Sequence, residues 1–227
     1  MSPRTGPPSY TRNRATGGRP AKGQLALILL LPVVLAGLIG AAIGYAVAAP
    51  DETEAAVDRI RAEEARRDVA QITELTAQAR TTAAELEALL GELDAALADG
   101  APPAGTDQVP RWQATMRAAV ERHADTPSGT TATNVARGAL RGAVDGFAAA
   151  VDLYAAAQGL PNADRPPVLA LVDRQRTGAA TAWSVAAAQL DQINIDAGNG
   201  HQHVYLGGHA GEGAFTPDGA PEGEPGG

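Results

Sequence analysis

Three histidines near the C-terminus, His201, His203 and His209, are the residues whose type and spacing best suit chemistry. One residue separates His201 from His203. An extended stretch His201-Gln202-His203-Val204-Tyr205-Leu206 therefore carries both imidazoles on one side. Joined by His209, or by Asp196 or Glu212, they offer the borderline donors that zinc, nickel and copper accept. Glycines lie between these donors, and a metal site needs a scaffold that makes its ligands converge. Residues 196–227 are rich in Gly, Pro and polar side chains and read as a flexible tail. A metal or small-ligand sensor built on this tail is thus the alternative to a role for the segments that precede it.

Other chemistries lack their signatures. There is no dinucleotide-binding loop after a strand, no phosphate loop ending in Lys and no HExxH pair. The chain has no cysteine, which removes disulfides, thiol nucleophiles and cysteine–metal sites. Individual Ser, His and carboxylate residues occur, but nothing signals a nucleophile with an oriented base and a third group. The sequence therefore implies no enzyme, no catalytic residue and no cofactor. Charge excludes another class. All 26 acidic residues lie from Asp51 onward with 13 Arg, a net of −13 for that portion, whereas residues 1–50 hold five basic residues and no acid. The acidic portion lacks the clustered positive charge that nucleic-acid binding needs.

The elements that must position the histidines begin with an apolar run. After Gln24, 25 residues carry no formal charge, a length of helix that suffices to cross about 30 Å of hydrocarbon. Arg4, Arg12, Arg14, Arg19 and Lys22 precede it, and Asp51, Glu52 and Glu54 follow it. By the positive-inside tendency this predicts a single-pass membrane protein, N-terminus cytoplasmic and C-terminus extracytoplasmic, with the lipid bilayer as a partner. A cleaved signal peptide ending at Ala46-Val47-Ala48 is the competing reading, but the run is longer than a usual signal core. Within the run, Ala36, Gly40, Gly44 and Ala48 recur every four residues, the spacing of a small-residue face for self-association.

Beyond residue 50 the pattern is helical. Ile72, Leu75, Ala79, Thr82, Leu86, Leu89, Leu93 and Ala96 follow alternating steps of three and four. Ala136, Leu140, Val144, Phe147, Val151 and Tyr154 do the same, as do Leu169, Val172, Arg176, Ala179, Trp183, Ala186, Leu190 and Ile193. Arg176 is the charged exception in its seam, expected to snorkel or to pair with a carboxylate. Trp112, aligned with Met116 and Val120, reads as core.

These observations predict an all-α chain: a single transmembrane helix, a long helix and an antiparallel extracytoplasmic helical bundle, with helices near 52–98, 109–124, 131–158 and 167–194. The organisation is a basic cytoplasmic tail (1–23), an anchor (24–49), a stalk-like helix (50–98) and a linker (99–108). A bundle portion (109–195) packing with part of 50–98 and the tail (196–227) complete it. The leading expectation for function is a membrane-anchored helical interaction or scaffold protein, open to an envelope protein partner or to self-association.

Overall fold

Stripes of apolar residues at steps of three and four can leave water only by packing helix on helix, and that is how the chain folds. The computed structural model describes residues 33–45, 52–207 and 215–225. Among the described residues there are five helices: α1 (33–45), α2 (Glu52–Leu97), α3 (Gln108–Arg122), α4 (Thr131–Gln158) and α5 (Arg165–Asp196). Backbone contacts divide the chain at Asp58 and Arg59, and the bundle belongs to the unit from Arg59 onward.

Most residues that the periodicity selects are buried in the bundle core; Ala96 and Leu169 are only partly buried, and the core also takes in Ala83, Leu90, Ala143, Ala150, Ala180 and Ala187. From α2, Ile72, Leu75, Ala79, Thr82, Leu86, Leu89 and Leu93 are buried. From α4 come Ala136, Leu140, Val144, Phe147, Val151 and Tyr154, and from α5 Val172, Arg176, Ala179, Trp183, Ala186, Leu190 and Ile193. The backbones of α4 and α5 approach most closely. Small side chains permit this: a Cβ placed on Gly146 would lie only 3.0 Å from the Cβ of Ala179. Leucines on α2 span a wider gap.

Polar side chains fix the helix ends. Thr130 caps α4 by accepting from the Thr133 N–H, and Asp68 of α2 accepts from the Thr130 N–H (3.1 Å) and the Thr133 hydroxyl (2.9 Å). Pro166 and Pro167 sit in the first turn of α5, where a missing N–H costs nothing. Trp112 is core and also donates to Glu92 Oε2 (2.8 Å). That bond, with those from Gln108 and Arg111, holds the Glu92 carboxyl below the usual carboxylate range. Arg176 resolves its place in the seam by pairing with Asp94 of α2 (3.1 Å) and Asp173 (3.0 Å).

The expected membrane anchor is not upheld. Of that segment, residues 24–32 and 46–49 lie outside the described residues. α2 has the length, 46 residues, but carries charge through Asp58, Arg59, Arg61, Glu63, Glu64, Arg66, Arg67 and Asp68. Among the described residues no helix is both long and apolar enough to cross a membrane. The expectations that depended on an anchor fall with it: the transmembrane part of the fold class, the lipid bilayer as partner, the single-pass location and the membrane-anchored scaffold reading. The all-α helical bundle stands. Ala36, Gly40 and Gly44 lie four apart on α1, with no atom within 4 Å of a Cβ placed at Gly40 or Gly44, and Ala48 lies outside the described residues.

Candidate metal centre

The site begins where α5 ends. Buried Asn194 donates to Thr76 Oγ1 of α2 (2.8 Å) and accepts from Asn199 (3.0 Å), which directs the chain out of the helix and back along the bundle. Gly198 and Gly200 take positive φ, 79° and 68°. At Gly200 this freedom is obligatory twice over, because a Cβ there would collide with the Gly223 carbonyl.

Residues 201–206 then run without helical structure, and one face is committed to the core. Val204 and Leu206 are buried, and Trp183 Nε1 of α5 donates to the Val204 carbonyl (2.7 Å). Alternation along an extended segment leaves His201 and His203 together on the other face, beside Asp191 of α5. The segment 215–225 returns alongside: the His201 N–H donates to Glu224 O and the Gly223 N–H to His201 O, both 2.9 Å. This pairing delivers Asp218.

Four donor atoms thereby converge, one each from Asp191, His201, His203 and Asp218, all within 4.8 Å of one another. His201 Nδ1 lies 3.0 Å from Asp191 Oδ2 and 3.6 Å from Asp218 Oδ2. His203 Nε2 lies 3.8 Å from Asp191 Oδ2 and 3.3 Å from Asp218 Oδ1. A tetrahedral shell about 2.0–2.1 Å from a zinc-sized ion has edges of about 3.3–3.4 Å. The two imidazoles face different oxygens of Asp218, and His201 Nδ1 is at hydrogen-bond distance from Asp191 Oδ2, so the donors stand near that spacing without forming the shell itself.

Hydrogen bonds from outside the cluster hold Asp191 and the backbone at His203. Asp191 Oδ1 accepts from the Gln202 N–H, which leaves Oδ2 facing the centre. The His203 N–H donates to Glu222 Oε1 (2.7 Å), and Glu222 pairs in turn with Arg80 of α2, which also donates to Gln202 Oε1 (2.7 Å). Outer contacts of this kind orient metal ligands. The Ala220 N–H holds the Asp218 carboxyl below the usual range; burial opposes the shift and the two imidazoles add to it. Asp218 is therefore available as a carboxylate. Burial, then the negative charges of Asp191 and Asp218, push the Tyr205 phenol up, so it stays protonated beside the site. His203 Nε2 is buried without an aligned hydrogen-bond partner. In its neutral Nδ1–H form the imidazole would offer this nitrogen to a cation held between the two carboxylates. A cleft of about 430 Å³, lined by Gln192, Tyr205 and Thr216 among others, opens onto the donors and gives an ion a path in.

Of the residues that the sequence singles out, the fold brings together His201 and His203. His209 and Glu212 lie outside the described residues. Asp196 ends α5, accepts from Gln192 Nε2 (2.9 Å) and is not one of the four. The two carboxylate ligands escaped the sequence reading, though each left a trace. Asp191 shares a buried helical face with Ser184 and Asn194, spaced seven and three residues from it. Asp218 sits in Thr216-Pro217-Asp218-Gly219, a turn-forming tetrapeptide, with Gly219 at φ 85°. No protein-family model matches the chain, and no curated protein or solved structure is significantly similar to it.

Proposed function

We propose that this chain is a helical metal-binding protein that holds one divalent transition-metal ion, zinc foremost, on Asp191, His201, His203 and Asp218. The observation that carries the reading is the convergence of two imidazoles and two carboxylates from three separate stretches of chain, with donor separations close to the edges of a tetrahedral shell. Nitrogen and oxygen donors without thiolate suit zinc and its divalent neighbours. A binding role is favoured over catalysis because four protein donors complete a tetrahedral shell, whereas catalytic zinc keeps a position for water.

Calorimetric titration of the chelator-treated full chain with zinc tests the proposal. One ion per chain is expected, and the combined variant His201→Gln, His203→Gln should lose that binding. Equal affinity in the variant would show that the ion is held elsewhere.

A further inference from the structure

We infer that the ion acts as the latch of a strap, fastening residues 201–207 and 215–225 across α2 and α5, so that metal availability sets whether the strap lies closed or opens. This deepens the metal-binding reading and rests on it. The four ligands are divided among α5 (Asp191), the first part of the strap (His201, His203) and its return (Asp218). One ion thus ties three segments at a single point.

Among the described residues the strap is also tied directly to Asp191 of α5, through the Gln202 N–H and His201 Nδ1, and by the following contacts. Val204 and Leu206 sit in the core, and the Val204 carbonyl receives the Trp183 N–H. The Gly207 N–H donates to Glu87 of α2 (2.7 Å), and the Phe215 N–H to Ser184 of α5 (3.3 Å). Arg80 holds Glu222 and Gln202 from α2. Two of these ties are to side chains at the bundle surface, where water competes for the same groups. Closing the strap brings Asp218 toward the buried Asp191, whose carboxylate already accepts from the Gln202 N–H and lies 3.0 Å from His201 Nδ1. A divalent cation would add a bond to each of the four residues at once and so tighten a closure that these contacts begin. The helices share an apolar core of their own, to which the strap adds only Val204 and Leu206.

Amide hydrogen exchange read by mass spectrometry on the full chain, run beside zinc calorimetry on the same preparation, tests the latch. With free zinc at about 100 times the dissociation constant, exchange at Gln202, His203 and Gly207 should slow by up to about 100-fold relative to chelator-treated chain. Amides in the middle of α4 should not change. Calorimetric binding with unchanged strap exchange would overturn the latch and leave the metal site standing. Equal slowing in α4 and the strap would also overturn it, by making the ion a general stabiliser. If calorimetry detects no zinc binding, the metal reading and the latch fall together.

Discussion

The α4–α5 seam and the C-terminal strap lie on the same bundle but are held in opposite ways. The seam is apolar, local in pattern and close-packed: Ala143, Ala150, Ala179, Ala186 and Gly146 let two backbones meet, and large side chains such as Phe147 and Trp183 fill the space beside them. The strap has little regular structure. It is placed by two buried apolar side chains, by hydrogen bonds to groups more than a hundred residues away such as Arg80 and Glu87, and by a four-residue polar cluster. Where burial does the holding, the fold is indifferent to solution conditions short of denaturation. Where polar groups converge, the fold depends on what neutralises them.

This contrast can be broken most forcefully from the apolar side. Phe147→Ala removes a fully buried ring and should cost about 3–5 kcal/mol in a denaturant melt, equally with and without zinc. A metal-dependent cost would mean that seam and strap are one unit. The next largest effect belongs to the strap. Asp191→Asn keeps an oxygen for the Gln202 N–H but removes a charged ligand, and should weaken zinc binding at least about 100-fold, about 2.7 kcal/mol, with little change in the melt of the metal-free chain.

A third test separates buried imidazoles by role. His123 follows α3 and faces Thr82 of α2, whose hydroxyl accepts from Arg122 (2.8 Å) and shares a hydrogen bond with His123 Nε2 (3.0 Å). Burial, with the Arg122 charge adding to it, pushes the His123 pKa down from 6.5 to about 4. On acidification the unfolded chain takes up this proton before the folded chain does. Stability that is complete above about pH 6.5 should therefore fall through that interval by about 2 kcal/mol and level off near pH 4. His123→Gln should flatten this part of the profile in urea melts taken between those pH values, whether or not zinc is present.

Smaller effects refine the contrast. Gly200→Ala meets both a positive φ and the Gly223 carbonyl, so it should push the strap segments apart and weaken zinc binding about tenfold, about 1.4 kcal/mol, in calorimetry. Gly142→Ala on α4 meets open space and should raise the helix's stability by about 0.5–1 kcal/mol without touching metal affinity.

The two regions also differ in how far the sequence disclosed them. The seam was legible because helical periodicity is a local code: the positions from Ala136 to Tyr154 and from Val172 to Ile193 that repeat at three and four are the ones buried. The metal cluster was legible by half. His201 and His203 announce themselves by spacing, whereas Asp191 and Asp218 become partners only when α5 and the returning segment meet, 27 residues apart in sequence. No short-range pattern encodes that meeting. The anchor expected at 24–49 rested on uncharged length alone, and among the described residues no helix is both long and apolar enough to cross a membrane.

The central claim is the identity of the four ligands. X-ray absorption spectroscopy on the zinc-loaded chain tests it most directly. Two imidazole nitrogens and two carboxylate oxygens at about 2.0–2.2 Å are expected, with the imidazole signal lost in the His201→Gln, His203→Gln variant. A shell without imidazole, or one that the variant leaves unchanged, would contradict the account.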